Sequence, residues 1–417
     1  MAPIAILAGA LAPKATAQTW TQMGPSVAQD AILPKVACDA QGRVWVTMQD
    51  LATPSHHGSV KRFVPALGAL PAQWEYVGAA GSTSISNDWW PSLAFSRSGE
   101  IFRASYDYRV GAPQFAAPLL NMRQWNPVTG QWELMQPFPV SLGEAHMPAM
   151  KLDDWDRPVV AYRHGNPATV QAPFGAVSVL RYERLPGGGW APRFLGGQGF
   201  SADLFPAAAY PKSISWFNCL DVDSGGRLWA AWQESNAIMG GVPVVATYRE
   251  VDDRWEMVGD FRPLIPPGRS GNLELAVDKY GTPYLAAYLF DQFRVYRWVG
   301  DLKTGAWQML GIPVGFLDAP KMTPGSEYRD WVAFALDPDG APYLAYRAQN
   351  RSNRVIVRRF LGGVWQLVGN PAFTGPVGED DQLSLAFSGS TPVLALRHSL
   401  PTSLASTSRE VQVWYYR

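Results

Sequence analysis

An apolar run that ends in Asp or Ser, followed by a short turn and a second apolar run, recurs along the whole chain. The first copy reads Val36-Ala37-Cys38-Asp39, turns at Gly42 and continues as Val44-Trp45-Val46. In the later copies the first run ends at Ser96, Asp153, Asp223, Asp278, Asp337 and Ser388. An Asp side chain bonds to the turn backbone and a Gly tolerates positive φ, so this spacing is typical of a β-hairpin. The pattern therefore predicts seven hairpins.

Each hairpin is followed by a third apolar strand and a short fourth strand that begins with Trp. These fourth-strand residues are Trp74, Trp132, Trp190, Trp255, Trp307 and Trp365. The seventh repeat ends the chain at its third strand, 411–417, whereas Trp20-Thr21-Gln22-Met23-Gly24 near the N-terminus fits the same Trp-x-x-x-Gly template. A radial array whose two ends share one blade has no free sheet edge. An open β-solenoid would not need these complementary half-blades.

We therefore predict an all-β fold, a seven-bladed β-propeller with four-stranded antiparallel blades. The N-terminal strand closes the last blade, and residues 18–417 form a single domain. The segment Asp337-Pro338-Asp339-Gly340-Ala341-Pro342-Tyr343-Leu344-Ala345-Tyr346 and its copies resemble secreted bacterial propellers of the sialidase-like and kelch-like kind. The resemblance covers nearly the whole chain and implies a fold rather than an activity. Sialidase Asp boxes have the form S-x-D-x-G-x-T-W, whereas the spacing here is Asp39-x-x-Gly42-x-x-Trp45.

Charge and cysteine content narrow the range of partners. Lys plus Arg and Asp plus Glu both number 35, so the formal net charge is zero, and no basic stripe is visible. This argues against nucleic acid and anionic membranes as main partners. The two cysteines form no C-x-x-C pair and only five histidines occur, so we expect no metal and no cofactor. We expect a monomer.

The N-terminal segment indicates where the protein works. Residues 5–11 form a short apolar run, and Ala15-Thr16-Ala17 follows as an A-x-A-like cleavage signal. Residues 1–17 thus form a signal peptide or, alternatively, a disordered tail. The sequence contains no stretch long enough to span a bilayer. We expect a secreted or periplasmic protein.

Loops that enter first strands and loops that leave second strands share one side of a propeller, here called the rim face. Opposed residues in a hairpin keep a constant sum of positions, so placing Ser96 opposite the glycine of its turn puts Asp88 opposite Asp107. Two facing carboxyls raise the pKa of one of them unless an arginine intervenes. Arg109 or Arg163 could be that arginine. The alternatives are a pair that acts in acid–base or ligand chemistry and two solvated loop carboxylates.

The same register argument brings a second candidate set together in the third blade. It places His146 opposite Arg163, with His164 adjacent. Propeller polysaccharide lyases use a His or Tyr base with an Arg beside the uronate, and Tyr162 could complete such a set. Asp88, Asp107, His146 and His164 are therefore the candidate catalytic residues. Each of them could equally be structural.

Three arginines leave equivalent second strands of different blades: Arg163, Arg347 and Arg397. If they converge, they form a receptor for carboxylate or sulfate, as the arginine triad of sialidases does. Alternatively, Asp330 pairs with Arg347 and Asp381 lies near Arg397 as ion pairs that hold the rim.

Further candidate ligand-binding residues on the rim face are Glu234, Trp89 and Trp216. Exposed Trp side chains stack on sugar rings, whereas Trp between blades belongs to the core. The long connection from Ala191 to Ser215, which contains Phe200, is a candidate lid.

Three functions remain open on the sequence. The first is an extracellular propeller that binds a glycan or other anionic polymer on its rim face. The second is an enzyme that uses the same face, either a polysaccharide lyase or a sialidase-like glycosidase. The third is a structural or adhesion scaffold. Because histidines are few and no strong catalytic spacing occurs, binding ranks slightly above catalysis.

Overall fold

The predicted architecture is confirmed: seven four-stranded antiparallel blades form a ring, and strands make up 62% of the chain. The structure is a computed structural model, and it describes residues 18–108, 119–135, 145–164, 175–204, 214–236, 240–261, 270–289, 292–314, 332–348, 354–371, 373–374, 382–403 and 406–417. Within the first six blades the strands run in sequence order, so each pairs with the next one along the chain.

The first three blades follow one another along the first half of the chain. Blade 1 consists of β3 (Ala31–Cys38), β4 (Val44–Asp50), β5 (Gly58–Val64) and β6 (Gln73–Tyr76). Blade 2 consists of β7 (Asn87–Phe95), β8 (Ile101–Tyr108), β9 (Leu119–Asn126) and β10 (Gln131–Leu134). Blade 3 consists of β11 (Ala145–Leu152), β12 (Pro158–His164), β13 (Val177–Arg184) and β14 (Trp190–Phe194).

The next three blades repeat this plan. Blade 4 consists of β15 (Ile214–Val222), β16 (Leu228–Asn236), β17 (Gly240–Arg249) and β18 (Arg254–Met257). Blade 5 consists of β19 (Ser270–Val277), β20 (Pro283–Leu289), β21 (Gln292–Val299) and β22 (Ala306–Met309). Blade 6 consists of β23 (Val332–Leu336), β24 (Pro342–Ala348), β25 (Arg354–Leu361) and β26 (Val364–Leu367).

Blade 7 joins the two ends of the chain, as the sequence predicts. It consists of β27 (Leu383–Ser388), β28 (Thr391–Ser403), β29 (Ser406–Tyr416) and β1 (Trp20–Gln22), with the short β2 (Ala28–Gln29) also on β29. In the closing pair, Trp20 lies opposite Tyr416 and Gln22 opposite Trp414. Two helical turns, a 3-10 turn (Pro54–His56) and α1 (Ser201–Leu204), complete the described elements.

The recurring Asp holds each hairpin turn through its own side chain. Asp39 Oδ1 accepts hydrogen bonds from the backbone N–H groups of Gln41, at 3.0 Å, and Arg43, at 2.9 Å. The equivalent bonds recur at Asp153, Asp223, Asp278 and Asp337. The turn signal therefore reflects a backbone requirement.

The recurring Trp of the fourth strand links neighbouring blades at their outer edge. Its indole N–H donates to a backbone carbonyl of the preceding blade, and the closing residue Trp20 does so to Val368 at 2.8 Å. The same link is made by Trp74, Trp132, Trp255, Trp307 and Trp365. Trp190 is the exception, because it donates to the side chain of Gln124 at 2.9 Å.

The glycine after five of these six carbonyls makes room for the indole, the exception being Gly24. At Gly369 the backbone has a φ of +71°, and a Cβ there would lie 3.0 Å from Trp20 Cδ1. At Gly196 a Cβ would lie 2.6 Å from Trp255 Cδ1. In blade 2 the residue at the position of these carbonyls is Met135, and glutamine rather than glycine follows it in the sequence. This is the blade in which Trp190 bonds to a side chain instead of a backbone carbonyl.

The apolar core consists of seven clusters, one between each pair of neighbouring blades. The cluster between blades 4 and 5 contains fifteen buried residues. Among the described residues, the cluster between blades 1 and 2 contains only five buried ones, namely Trp45, Val60, Leu93, Ile101 and Trp132. The space that apolar side chains fill elsewhere is occupied here by polar ones.

The connection proposed as a lid begins as part of this core. Phe200 is 2% exposed and stacks on Trp255, with 4.7 Å between the ring centroids. Residues 205–213 lie outside the described residues. No helix in the described part of the chain is long and apolar enough to cross a membrane.

Candidate functional site

A β-bulge in the innermost strand shapes the rim face of five blades. The register shifts between Ile32 and Lys35, and at the corresponding points of β7, β11, β15 and β19. Trp90 and Met147, in two of these bulges, have φ of 49° and 51°. Bulges of this kind re-aim side chains next to binding sites.

The bulge decides which residues face each other on the rim. Asp88 pairs with Asp107, and His146 with Arg163, as predicted. The turn register behind the prediction was nevertheless wrong, because Ser96 bonds across the turn to Glu100. The bulge then shifts the strand by one residue and restores the predicted pairs.

One position near the rim end of every second strand carries a hydrogen-bonding side chain. The seven residues are Gln49, Tyr106, Arg163, Gln233, Tyr288, Arg347 and Arg397, and all are buried. Each shares its strand face with residues packed against the next blade, as Arg163 does with Val159 and Ala161. The three predicted arginines are thus equivalent, and they point into clefts between blades.

Four aromatic rings form a continuous series from blade 2 to blade 3. Trp89 stacks on Trp90 at 5.9 Å between ring centroids, and Trp90 stacks on Tyr106 at 6.2 Å. Tyr106 meets the His146 ring edge to face at 5.5 Å. His146 lies opposite Arg163 in the register, so the series ends at a guanidinium. We call these five residues the rim arc.

The charge of Arg163 keeps its neighbour neutral. Burial first, and then the positive charge of Arg163, lower the pKa of His146 to about 3. His146 is therefore an uncharged imidazole at neutral pH, and Arg163 is the cation of the rim arc.

The polar contacts continue into blade 4. Arg163 Nη1 donates to the backbone carbonyl of Ser215 at 3.5 Å. Ser215 Oγ in turn donates to Glu234 Oε2 at 3.3 Å, and Trp232 Nε1 donates to the same oxygen at 2.7 Å. The predicted residue Glu234 thus reaches Arg163 only indirectly. It accepts a hydrogen bond from Ser215, whose backbone carbonyl Arg163 contacts.

Asp88 and Asp107 are separated by an arginine that the sequence reasoning missed. The intervening residue is Arg103, which donates to both oxygens of Asp88, the Nη1–Oδ1 distance being 3.0 Å. Arg103 is 1% exposed and also donates to Thr47 Oγ1 at 2.9 Å. The expectation of Arg163 in this role was wrong, and Arg109 lies outside the described residues.

Asp107 is the carboxyl that has no such ion pair. Burial, and then the charge of Asp88, raise its pKa well above the usual value. Arg103 and Arg123 act in the opposite sense but more weakly. Because Asp107 is only 2% exposed and its raised pKa disfavours the charged form, it is a buried acid rather than a group open to a ligand.

The other predicted residues are distributed as follows. Arg347 and Arg397 belong to β24 and β28 of blades 6 and 7, across the ring from the rim arc. The backbone of Arg397 bonds to Gln382 at 3.1 Å. The backbones of His164 and Trp216 pair with Ala145 and Gln233, respectively. Both Asp330 and Asp381 lie outside the described residues.

The innermost strands enclose a central cavity of about 490 Å³ beneath the rim. Its wall carries two ion pairs. Lys35 Nζ lies 4.0 Å from Glu274 Oε1 across the cavity, and Lys151 Nζ lies 3.0 Å from Asp221 Oδ1 between adjacent blades. The charge of Asp221 raises the pKa of Lys151, so Lys151 stays protonated at neutral pH. The cavity is therefore a charged lumen crossed by side chains.

Comparisons with known proteins show the fold. No family model matches the chain, and no curated protein matches it in sequence. Among solved structures, an ulvan lyase bound to -[GlcA(1-4)Rha3S]- aligns with a TM-score of 0.55 and 12% identity over 94% of this chain and 95% of its own. The polysaccharide lyase Uly1 aligns with a TM-score of 0.55 and 10% identity over 98% of this chain and 94% of its own. A Hadza microbial sialidase aligns with a TM-score of 0.46 and 13% identity over 88% and 73%.

Proposed function

We propose that this protein is an extracellular propeller that binds an anionic glycan on its rim face, along the rim arc. The observation that carries the proposal is the unbroken series of rings from Trp89 to His146 that ends at Arg163. Aromatic faces stack on the apolar faces of sugars, and a guanidinium binds carboxylate or sulfate through two parallel hydrogen bonds. The arc places aromatic rings and a guanidinium next to each other.

The electrostatics of the arc favour an acidic sugar. Arg163 is the charged side chain of the arc, and His146 beside it is neutral. A neutral imidazole supplies a donor and an acceptor to hydroxyl groups without repelling or attracting charge. We therefore expect a uronic acid or sulfated residue at Arg163 and a neutral part of the sugar on Trp89 and Trp90.

The same geometry favours binding over catalysis. A histidine whose pKa is about 3 is a weak base at neutral pH, and general-base catalysis is most efficient near the working pH. Tyr162, the alternative base, is fully buried. Asp88 is held by Arg103, and Asp107 is buried with a raised pKa, so neither fits a role as a solvent-facing acid or base. The similarity to polysaccharide lyases concerns the fold.

The test is binding of polyglucuronate and of neutral glucans, measured by affinity electrophoresis and calorimetry. We expect the acidic polymer to bind and the neutral polymers to bind much more weakly. Trp89→Ala and Arg163→Met should each weaken binding at least about tenfold, which corresponds to about 1.4 kcal/mol. Arg347→Met, at the equivalent position across the ring, is the matched control and should bind like the wild type.

Two results would contradict this function. Equal affinity of the Arg163→Met and Arg347→Met variants would remove the rim arc as the site. Release of unsaturated oligosaccharides, seen as new absorbance of a conjugated enoate, would show a lyase instead. The proposal of secretion, based on residues 1–17, is checked separately by N-terminal sequencing of the exported protein.

A further inference from the structure

A groove of about 1000 Å³ lies along blade 4, away from the rim arc. Four turns contribute to its wall, and they carry Trp155, Arg227, Val251 and Lys303. These turns join first to second strands or third to fourth strands, so they lie on the face opposite the rim. We call this cavity the turn-face groove. Its volume is in the range of known ligand sites.

The turn of blade 3 touches that of blade 4 at the groove. A Cβ on Gly226, where φ is +76°, would lie 2.6 Å from Asp154 Oδ2. Trp155 and Arg227 directly follow these two residues in the chain, and both line the groove. The glycine therefore lets an aromatic residue of one blade and an arginine of the next come together.

Trp155 is a fixed and exposed aromatic platform. Its backbone N–H donates to Asp153 Oδ1 at 3.0 Å, and the guanidinium carbon of Arg157 lies 4.7 Å from the centroid of its ring. Arg157 is itself held by Asp153 at 2.7 Å and by Glu183 at 2.8 Å. Trp155 is nevertheless 71% exposed, so its ring is open to a ligand. Such a ring suits stacking on a sugar.

Arginines lie side by side across the end of blade 4 that borders the groove. Arg249 pairs with Arg254 between β17 and β18. Trp229 pairs with Thr247, and the same register carried two residues further sets Arg227 across from Arg249. Like charges that face each other destabilise a sheet, so these arginines need negative partners.

Two of the three arginines have such partners. Glu256 Oε1 accepts hydrogen bonds from Arg249 Nη1 at 2.7 Å and from Arg254 Nη2 at 2.6 Å. Asp252 Oδ1 lies 3.2 Å from Arg249 Nε, and its Oδ2 lies 2.8 Å from Arg254 Nε. These four residues form a closed network without net charge.

A second acidic side chain of the groove wall, Glu250, is also engaged. It accepts two hydrogen bonds from Arg181, at 2.8 and 2.9 Å. Hydrogen bonding by Arg181 lowers the pKa of Glu250, so this carboxylate is ionised and held by its own partner. It does not compensate the remaining cations of the groove.

Arg227 and Lys303 are those remaining cations. Arg43 and Arg157, at the position of Arg227 in the turns of blades 1 and 3, donate to the Asp of their own turn at 2.6 and 2.7 Å. By contrast, no residue that the structure describes forms an ion pair or hydrogen bond with the guanidinium of Arg227 or the ammonium of Lys303. The groove therefore presents two uncompensated positive charges near an exposed indole.

We propose that the turn-face groove is a second site for an acidic glycan, with carboxylate or sulfate groups at Arg227 and Lys303 and a sugar face on Trp155. The charges require an anion, and the indole favours a sugar over an inorganic ion. The choice of polymer rests on the function proposed above, whereas the site is separate from the rim arc. The protein thus holds two segments of polymer, one on each face.

The turn-face groove is the weaker of the two sites. Arg227 and Lys303 are exposed, whereas Arg163 of the rim arc is only 9% exposed. Exposed charges are screened by water and salt, so each contributes less to affinity. We expect the groove to bind at least about tenfold more weakly than the rim arc.

Calorimetric titration with a glucuronate oligosaccharide separates the sites. The wild type should show a tight and a weak phase. Arg227→Met/Lys303→Met should lose the weak phase and keep the tight one, and both changes are at exposed positions that leave the core intact. Arg43→Met, at the corresponding position of the blade 1 turn, is the matched control and should keep both phases.

The outcome distinguishes this proposal from that for the rim arc. If Arg163→Met removes the tight phase but Arg227→Met/Lys303→Met changes nothing, the turn-face groove is overturned and the rim arc stands. If only the weak phase responds to its variant, the rim arc is overturned instead. Titration with polyglutamate is the further control, since equal affinity of the weak phase for this polymer would overturn the assignment to a glycan.

Discussion

The interface between blades 4 and 5 and that between blades 1 and 2 solve the same packing problem differently. The first is filled by fifteen buried apolar residues, among them Trp229, Leu285 and Trp307. The second has five, and a buried ion pair between Asp88 and Arg103 lies beside them. Apolar packing is non-directional, whereas the polar interface depends on each donor meeting its acceptor. The fold tolerates the polar solution because six apolar interfaces complete the ring.

The largest expected effect separates the two interfaces through Arg103. Arg103→Met leaves Asp88 buried without a partner and should lower the free energy of unfolding by about 3–5 kcal/mol. Denaturant unfolding followed by circular dichroism measures the loss. The double variant Arg103→Met/Asp88→Leu removes the orphaned charge and should recover a large part of it. A double variant as unstable as the single one would show that the charge is not the cause.

At the apolar interface, truncation acts through a cavity. Leu285 is fully buried between blades 4 and 5, so Leu285→Ala should cost about 3 kcal/mol in the same assay. Leu285→Met, which keeps the volume, is the control and should cost less than about 1.5 kcal/mol. A loss below about 1 kcal/mol for Leu285→Ala would mean that this interface repacks and is less rigid than its burial indicates.

The outer ring of Trp links should not distinguish the two interfaces. Trp132 and Trp307 donate to Val77 and Val258, respectively, both at 2.7 Å. Trp132→Phe and Trp307→Phe should each cost about 1–2 kcal/mol, since each loses one hydrogen bond and some packing. Both losses in the free energy of unfolding are measured with denaturant. If they are unequal, part of the difference between the two interfaces arises at the outer edge of the blades rather than on the strand faces.

The smallest effect is expected for Asp107→Asn at acidic pH. The native pKa of Asp107 is raised, so its contribution to stability is present below the unfolded-state value of 3.8 and is lost as pH rises through the native value. The difference in Tm between wild type and Asp107→Asn should therefore be near zero at low pH and favour the variant increasingly as pH rises. The Tm of each protein is measured by circular dichroism at constant ionic strength across the pH range. A difference that is independent of pH would contradict the assigned pKa direction.

The fold was predictable because its signals are local and repeated. Asp39 and its copies bond to their own turns, and Trp20 shows the same Trp-x-x-x-Gly spacing as four of the six other fourth strands. Seven copies of one signal determine the blade count, and the half-blade at each end determines the closure. The predicted pairings on the rim agree with the structure only because the bulge offsets the error in the turn register.

The chemistry of the site depends on contacts that no local spacing reveals. Arg103 was missed, although Arg103, Ser105 and Asp107 alternate along β8 and so share one face. That alternation was the available signal. The shift of the bulge at Trp90 was not visible, because a bulge depends on the backbone conformation of one residue. Likewise, the separation of Arg163 from Arg347 and Arg397 follows from blade order around the ring.

Hydrogen exchange with and without polyglucuronate tests the central claim most directly, namely that function resides in the rim arc of blades 2 and 3. Bound polymer should slow amide exchange in the rim ends of β7, β8, β11 and β12 and leave β24 and β28 unchanged. Protection centred on β24 and β28, where Arg347 and Arg397 lie, would contradict the account, as would equal exchange throughout the ring.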